Sequence, residues 1–410
     1  MAKDDVIVGL DIGTTKICAI IAEQAEDEEN LKIVGVGTTR SDGLRRGVVV
    51  NIEKTVQSIT KAIEEAELMA GVEIRGVYAG IAGDHIRSIN SKGIIAVSRE
   101  HSDITQDDVR RVIEAAQVAH IPMEREVIHV IPQEFIVDDQ RGIRDPVGMS
   151  GIRLETEVHI VTGAVASAQN IVKSIHRAGF EVYDLVLEPL AASYSVLSED
   201  EKDLGVAIFD IGGGTTDIAF FSRGSIRHTS VIGLAGDNLT NDIAIGLRTP
   251  AHKAREIKEK HGCAMASMVE AQEMINVPSA AYHTERQVSR QLLASIIQPR
   301  MEEILGLAFR EIEDFSDLMA AGIVLVGGTS GLKGIVELCE DLTKLPVRVG
   351  KPQGITGLVN MVDGPKFATG VGLVMYGCQQ APGEVRFHGD ESSIFNKILE
   401  RMKQWLTELW

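Results

Sequence analysis

The chain has 410 residues, of which 44% are hydrophobic and 4% aromatic, and a formal net charge of −18 at pH 7. This length suits two or more domains, and the acidic balance disfavours nucleic acid as a partner for most of the surface. The four cysteines have no CxxC spacing, so neither a zinc site nor a disulfide framework is expected, which fits a reducing cytoplasm.

The first predicted elements lie close to the start of the sequence. Residues 6–22 are apolar on both sides of a glycine turn, which predicts a strand, a turn and a second strand. Asn51 is a favourable N-cap, and apolar positions on one face predict a helix from Ile52 to Met69. No signal peptide is expected, and no apolar run approaches the ~20 residues of a membrane-spanning helix. Further strands are predicted at 31–37, 46–50 and 77–81.

The segment 84–162 has its own pattern of strands and one helix. The start of that helix is marked by Thr105, followed by acidic residues at 107 and 108. We therefore predict that this block is a self-contained insertion. The main pattern is expected to resume with a strand at 158–161 and a helix at 167–178.

The second half of the chain repeats the scheme of the first half from residue 205. A helical stretch is predicted over about 236–315, with breaks near Pro250 and Pro278. Residues 322–329 are typical of a strand that runs into a glycine turn. Two more helices are predicted, near 331–342 and at 368–376.

Two short stretches in the two halves echo each other. DIGTTK begins at Asp11 and DIGGGTTD begins at Asp210, and each follows a β-branched apolar run. Glycines let a backbone turn tightly and point its N–H groups at phosphate oxygens. Threonine hydroxyls and Lys16 would add donors and a positive charge. The two aspartates would hold Mg²⁺ through its bound waters, because this ion keeps much of its hydration shell.

The repetition favours a duplicated fold that clamps one phosphate chain from both sides, the alternative being two ordinary β-turns. Neither stretch matches a GxxxxGK[ST] loop or a GxGxxG helix opener, so P-loop and dinucleotide-binding folds are disfavoured. The candidate phosphate-binding residues are Gly13, Thr14, Thr15, Lys16, Gly212, Gly213, Gly214, Thr215 and Thr216.

The end of the chain changes character. Residues 379–392 are polar with Pro and Gly and are predicted to form a flexible linker. Residues 393–410 carry apolar side chains on one face of a predicted helix, which could dock on the body, bind a protein groove or lie in a membrane interface. The polar linker favours the membrane. The membrane-facing residues would be Ile394, Phe395, Ile398, Leu399, Met402, Trp405, Leu406, Leu409 and Trp410.

The two Asp-Ile-Gly stretches, together with Gly327-Gly328-Thr329, resemble the actin, Hsp70 and sugar-kinase superfamily. The segment 187–193 is similar to the first connecting segment of that superfamily. Within it, the whole chain resembles the FtsA family of bacterial cell-division proteins. The segments that carry this resemblance are 131–135, 145–151, 260–264 and the terminal amphipathic helix.

The resemblance implies a duplicated α/β, actin-like ATPase fold with two halves around a nucleotide cleft that takes ATP and Mg²⁺. The implied parts are a first core subdomain at 1–83 and 163–195 with residues near 370–378, an inserted α+β subdomain at 84–162, a second core subdomain at 196–235 and 301–369, a small subdomain at 236–300, the linker 379–392 and the membrane helix 393–410.

The resemblance also implies roles for single residues. Gly327, Gly328 and Thr329 would approach the adenosine, and Gly236 and Asp237 would lie near the ribose or the phosphates. Glu188 would position water, with Asp11 and Asp210 as further catalytic candidates, although Glu188 also suits a helix N-terminus stabilised by the helix dipole.

One position departs from the family pattern. The family often has Ala-Glu-x-Ile-Lys on the helix that contacts adenosine, and here Lys258 matches the lysine. Arg255 stands where the glutamate is expected, and Glu256 is rotated about 100° away on a helix. Contact of an acid with the ribose is therefore in doubt, and Arg255 could instead lie on a solvated face.

The function implied by the resemblance is an ATP-binding protein that polymerises on the cytoplasmic face of the cell membrane, anchors the FtsZ ring at the division site and recruits later division proteins through 84–162. The C-terminal tail of FtsZ would bind the second small subdomain, where Arg286, Arg290 and Arg300 would pair with its acids unless they form a solvated basic face. The rivals are a sugar-kinase-like phosphotransferase, an ATP-hydrolysing chaperone and a pilus-assembly adaptor. Whether ATP is hydrolysed stays open.

Overall fold

The computed structural model describes residues 6–24, 30–97, 103–117, 121–279 and 285–380. The linker beyond residue 380 and the predicted membrane helix 393–410 lie outside the described residues. Among the helices that are described, none is long and apolar enough to cross a membrane.

The described chain alternates strands and helices. Its strands are β1 (Val6–Ile12), β2 (Lys16–Glu23), β3 (Leu31–Arg40), β4 (Leu44–Arg45), β5 (Val48–Val49), β6 (Gly76–Ile81), β7 (Arg87–Ala96), β8 (Arg125–Val137), β9 (Gln140–Ile143), β10 (Arg153–Ala164), β11 (Glu181–Leu187), β12 (Val206–Ile211), β13 (Thr216–Ser222), β14 (Ser225–Ile232), β15 (Met274–Pro278), β16 (Glu285–Ser289), β17 (Gly322–Val326), β18 (Val347–Val349) and β19 (Ile355–Gly357). Its α-helices are α1 (Ile52–Ala70), α2 (Gln106–Ala116), α3 (Val165–Arg177), α4 (Glu188–Val196), α5 (Glu199–Leu204), α6 (Gly236–Gly246), α7 (Ala251–His261), α8 (Arg290–Arg310), α9 (Ile335–Thr343), α10 (Val359–Val362) and α11 (Ala368–Cys378).

Two mixed sheets repeat one topology. The first has the order β11-β6-β1-β2-β3-β19 and the second the order β14-β13-β12-β17-β18. In each sheet the first three strands along the chain pair in antiparallel fashion. The next two strands, β6 and β11 in the first sheet and β17 and β18 in the second, extend the sheet in parallel on the other side of the first strand. Strand β19 extends the first sheet beside β3. The duplicated α/β fold predicted from the two Asp-Ile-Gly stretches is confirmed.

Local signals in the sequence explain where the helices begin. The side chain of Asn51 accepts a hydrogen bond from the backbone of Lys54 and caps α1, as predicted, and Gly71 ends the helix in a left-handed conformation. Thr105 and Asp108 form a capping box at the start of α2. Helix α11 packs against α4 so closely that a Cβ at Gly372 would overlap the carbonyl oxygen of Ala191.

The inserted block forms its own sheet, with the order β7-β10-β8-β9, and its own apolar core with α2. Residues 158–161 lie in β10 of this sheet, so the expectation that the main pattern resumes there is wrong; the first core sheet resumes only with β11. The block also contacts β14 of the second half. The amide of Gln133 donates to the carbonyl oxygen of Ile226 at 2.9 Å, and the hydroxyl of Ser88 donates to that of Thr229 at 2.9 Å.

The long helical stretch predicted at 236–315 is wrong in its middle. Helices α6 and α7 are separated near Pro250, as predicted, but β15 and β16 then pair as an antiparallel hairpin before α8 begins. Pro278 ends a strand rather than a helix. The predicted strand at 46–50 is instead part of the short hairpin β4–β5, and α9 begins only at Ile335, after a 3₁₀ turn at 328–331.

Candidate functional site

The two Asp-Ile-Gly stretches form the same hairpin turn in the two halves. The first loop, residues 13–16, is closed by the N–H of Gly13 donating to the carbonyl oxygen of Lys16 at 3.0 Å. The second loop, residues 212–215, is closed by the N–H of Gly212 donating to the carbonyl oxygen of Thr215 at 3.0 Å. Equivalent residue types therefore produce equivalent turns, each at the end of the first strand of its sheet.

The two loops face each other across the gap between the halves. A Cβ added at Gly213 would overlap the side chain of Thr15, and one added at Gly214 would lie 2.6 Å from the hydroxyl of Thr14. Glycine is required at these positions because the first loop occupies the space. No hydrogen bond within the described residues uses the N–H groups of Thr14, Thr15, Gly213 or Gly214, so these donors are available to a ligand.

A cavity of about 770 Å³ lies between the halves and is called the cleft below. Its volume is in the usual range for small-molecule sites. The predicted site residues that line it are Asp11, Gly13, Thr14, Thr15, Lys16, Glu188, Asp210, Gly212, Gly213, Gly214, Thr215, Asp237, Lys258, Gly327, Gly328 and Thr329.

Two predicted residues lie behind the cleft rather than on it. The hydroxyl of Thr216 is turned away and donates to the carbonyl oxygen of Leu234 at 2.8 Å. Gly236 begins α6, and its carbonyl oxygen accepts from Nζ of Lys258 at 2.7 Å. Both residues therefore support the shape of the cleft through the backbone.

Acidic side chains converge on the cleft. Asp11 lies 3.1 Å from Nζ of Lys16, and Asp210 accepts a hydrogen bond from the hydroxyl of Thr369 at 3.1 Å. Gly327 has a φ of +87°, and a Cβ there would overlap Oδ1 of Asp210, so this glycine makes room for the carboxylate. Glu188 begins α4 directly after β11.

Burial and the neighbouring charges shift the pKa values of the ionisable side chains in the cleft. Burial, reinforced by Asp11, raises the pKa of Asp210 to about 6, and burial with the nearby Asp210 raises the pKa of Asp217 to about 7. Burial and the carboxylates at 11, 217 and 210 raise the pKa of Glu188 well above its ordinary value. Burial alone would lower the pKa of Lys16, but Asp11 and its neighbours raise it. These clustered carboxylates would therefore stabilise a further cation in the cleft.

Within the described residues, no group of three or more His, Cys, Asp or Glu side chains could hold a metal ion by itself. A magnesium ion commonly takes one or two carboxylates, several waters and phosphate oxygens of a substrate. Oδ1 of Asp217 is buried and has no hydrogen-bond partner in the described chain. Asp11, Asp210 and Asp217 therefore fit a hydrated Mg²⁺ bound together with a phosphate chain.

The side of the cleft formed by α6 and α7 carries both basic and acidic side chains. Nη2 of Arg255 lies 2.9 Å from Oδ1 of Asp237, and both side chains are about one-third exposed. Arg255 thus lines the cleft and does not lie on a solvated face. Burial lowers the pKa of Lys258 to about 8. The hydroxyl of Thr329 donates to the carbonyl oxygen of Gly212 at 2.8 Å and joins this side to the second loop.

Sequence reasoning missed several residues of the cleft. Asp217 is the last residue of the second motif, and its acidic side chain at that place is the signal that could have marked it as a ligand. Glu259 and Lys260 follow Lys258 on α7, and Lys366 and Thr369 lie around the start of α11. A search for charged neighbours of each motif would have found Asp217, whereas the residues at 366 and 369 approach only through the fold.

The three arginines predicted to meet an acidic tail already have partners within the chain. Arg286 donates to the carbonyl oxygen of Leu247. Arg290 donates to both carboxylate oxygens of Glu273 at 2.8 Å and lines the cleft. Arg300 is bound by Asp242 and Glu303. An acidic peptide would have to compete with these contacts, so their role in partner binding stays a prediction.

Comparison with protein families gives two matches in the chain. A family model described as Cell division protein FtsA matches residues 207–372, and a model described as SHS2 domain inserted in FTSA matches residues 83–162.

Proteins named Cell division protein FtsA are similar over nearly the whole chain. That of Pseudomonas aeruginosa is 49% identical over 407 residues, covering 98% of this chain and 97% of that protein. That of Escherichia coli (strain K12) is 40% identical over 410 residues, covering 98% and 97%. That of Bacillus subtilis (strain 168) is 40% identical over 383 residues, covering 93% and 85%.

Solved structures share the fold at low sequence identity. The PilM-PilN type IV pilus biogenesis complex matches with a TM-score of 0.67 and 17% identity over 90% of this chain and 98% of that chain. MreB5 of Spiroplasma citri bound to ADP matches with a TM-score of 0.53 and 13% identity over 90% and 95%. The MamK double helical filament matches with a TM-score of 0.52 and 14% identity over 92% and 99%.

Proposed function

The chain belongs to the FtsA family of bacterial cell-division proteins, and on that basis we propose that it binds ATP with Mg²⁺ in the cleft, polymerises on the cytoplasmic face of the cell membrane and anchors the FtsZ ring there. The observation that carries the proposal is the pair of facing loops, one from each half, whose N–H groups and hydroxyls surround a cluster of raised-pKa carboxylates. One phosphate chain would contact both halves at once.

Different residues of the cleft would bind the phosphates, the Mg²⁺ ion and the adenosine. The N–H groups and hydroxyls of the two loops would bind phosphate oxygens, with Lys16 as a compact positive charge. Asp11 and Asp210 would hold Mg²⁺ through water, and the ion would neutralise part of the phosphate charge. Thr329, Gly327 and Gly328 would approach the adenosine. MreB5, which shares the fold, is described as bound to ADP, which supports nucleotide binding as a property open to this fold.

ATP would stabilise one arrangement of the two halves relative to the others. A ligand that binds both halves favours the arrangement in which the halves are close, and it shifts the population by its difference in affinity between arrangements. The arrangement favoured by ATP would be the one that polymerises. MamK, another protein of this fold, is described as a double helical filament, which supports assembly as a property open to the fold.

Attachment to the membrane would come from residues 393–410. A single amphipathic helix binds a membrane reversibly, and copies held side by side in a filament raise the effective concentration of the next helix. The segment carries three basic and two acidic residues, so attachment would rest on apolar burial more than on anionic lipid. Other division proteins would bind the inserted block, and the FtsZ tail the small subdomain.

The proposal is tested by measuring nucleotide binding and lipid binding on matched variants. Lys16→Ala removes the compact cation of the first loop and should weaken ATP binding at least tenfold, without affecting sedimentation of the protein with liposomes in the absence of ATP. Deletion of 393–410 should abolish sedimentation with liposomes and leave ATP affinity unchanged. ATP affinity that ignores Lys16→Ala would contradict the assigned cleft, and unchanged sedimentation after the deletion would contradict the membrane role.

A role in pilus assembly is the second candidate, because the PilM-PilN complex matches with a TM-score of 0.67. At 17% identity that likeness concerns the fold alone. Full-length relatives at 40–49% identity favour cell division. Binding of the purified chain to an FtsZ tail peptide would support cell division, and its absence would weaken it.

A further inference from the structure

A second cavity of about 320 Å³ opens beside the cleft. It shares Thr14, Gly214, Arg40, Asp237 and Arg255 with the cleft and extends from it toward the hairpin β4–β5. Four of its lining residues are arginines, at positions 40, 45, 46 and 255, and we call it the arginine cavity.

The charge of the arginine cavity is opposite to that of the chain. Four arginines and one acidic residue, Asp237, line this cavity, in a protein whose formal net charge is −18. Asp237 is already paired with Arg255, and Arg40 lies 3.7 Å from Asp42. Within the part of the chain that the structure describes, Arg45 and Arg46 have neither an ion pair nor a hydrogen bond from their side chains. Both side chains are exposed, and their positive charge has no partner among the described residues.

The backbone at Arg46 gives an independent sign of function. Arg46 and Gly47 are the two turn residues of the hairpin β4–β5, and both have positive φ, +51° and +75°. A two-residue turn of this kind favours Asn-Gly, because a long side chain is strained in the left-handed region. Strain at a non-glycine residue is commonly retained where the side chain has a role.

The strained turn is held in place and directs Arg46 toward the other half. The N–H of Gly47 donates to the hydroxyl of Thr14 at 3.0 Å, which ties the turn to the first loop. Cδ and Nη1 of Arg46 lie 3.7 Å from the position that a Cβ at Gly233 would take. Arg46 therefore spans from the first half to the second half at the rim of the phosphate loops.

We propose that the arginine cavity is an oxyanion site that takes a phosphate group. Guanidinium groups suit this ligand because their planar N–H donors match phosphate oxygens in pairs. The phosphate could be free inorganic phosphate or the terminal phosphate of a nucleotide whose other end lies in the cleft. The second source rests on the proposed nucleotide site, whereas the first source does not.

The test uses the full chain in the absence of nucleotide. Inorganic phosphate is the probe, and its binding is measured by isothermal titration calorimetry. Arg46→Asn and Arg45→Ala are compared with the parent and with Arg141→Ala, which removes an exposed arginine on β9, an edge strand of the inserted sheet that does not line this cavity. Loss of one charge-assisted contact should weaken phosphate binding about tenfold. Arg46→Asn should also keep or raise the denaturation midpoint, since asparagine suits the left-handed turn better, so weaker binding cannot be ascribed to unfolding.

A second pair of titrations separates the two sources. If free phosphate is the ligand, it binds the parent with ADP present and Arg46→Asn weakens it. If the terminal phosphate of the nucleotide is the ligand, Arg46→Asn weakens ATP binding about tenfold and leaves ADP binding unchanged. The proposal is overturned if Arg46→Asn and Arg45→Ala match Arg141→Ala in both phosphate and ATP titrations. Failure of nucleotide binding alone contradicts the proposed function and leaves the free-phosphate titration to decide this site.

Discussion

The raised pKa of Asp217 predicts that the nucleotide-free protein is destabilised by its own cleft, and that Asp217→Asn relieves this. An ordinary aspartate loses its proton near pH 3.8, and the folded protein holds that of Asp217 up to about pH 7. Between these values the folded state binds more protons than the unfolded state, so rising pH lowers the free energy of unfolding. The full difference corresponds to about 4 kcal/mol above pH 7.

The substitution Asp217→Asn need not disturb the local geometry. Oδ2 of Asp217 accepts a hydrogen bond from the hydroxyl of Thr215 at 2.9 Å, and an amide oxygen accepts it as well. Part of the repulsion is shared with Asp210, which titrates over a similar range. We therefore expect Asp217→Asn to raise the free energy of unfolding by about 2–4 kcal/mol at pH 8, and by a smaller amount toward pH 4.

The assay is urea denaturation of the parent and the variant at pH 4.5, 6 and 8, without Mg²⁺ or nucleotide. Asp341→Asn, at an exposed position on α9, is the matched control and should change little at any of these pH values. A gain that is equal at pH 4.5 and pH 8, or no gain at pH 8, would refute the reasoning. Mg²⁺ affinity should fall in the same variant, because the removed charge is one that the ion would neutralise.

Three further predictions concern single contacts. Gly213→Ala forces a methyl group onto the side chain of Thr15, so it should weaken ATP binding at least tenfold by calorimetry and also lower the unfolding free energy by about 1–3 kcal/mol. Tyr376→Phe removes the 2.8 Å hydrogen bond to buried Asp184 and should lower the unfolding free energy by about 1.5–3 kcal/mol in urea denaturation. Gly306→Ala, inside α8 with open space around the new methyl group, should raise it by about 0.5–1 kcal/mol. A higher ATP affinity for Gly213→Ala, a higher unfolding free energy for Tyr376→Phe or a lower one for Gly306→Ala would contradict the reasoning behind that prediction.

The turns of the first and second loops were predictable because they depend on local sequence. An aspartate at a strand end, glycines and hydroxyls specify a tight turn wherever they occur, and both turns form as predicted. Their meeting across the cleft also followed from sequence, since the second motif repeats the first. The SHS2 match over residues 83–162 agrees with the prediction of an insertion at 84–162.

The parts that sequence did not predict depend on packing between distant segments. The hairpin β15–β16 has strands of five residues in a region of mixed polarity, and such short strands carry little periodicity. Thr369 contacts Asp210 only because α11, which packs against α4 and the first sheet, begins close to the end of β12. Arg290 looked like a surface cation in sequence, but Glu273 on a neighbouring segment binds it in the folded chain. These contacts are decided by tertiary structure.

The central claim is that ATP bound between the halves sets assembly on a membrane. Electron microscopy of the full chain on a lipid monolayer, with ATP, with ADP and without nucleotide, tests it most directly. We predict ordered filaments with lipid and ATP together, and none when either is left out or when residues 393–410 are deleted. Equally abundant filaments without nucleotide, or their persistence on lipid after that deletion, would contradict the account.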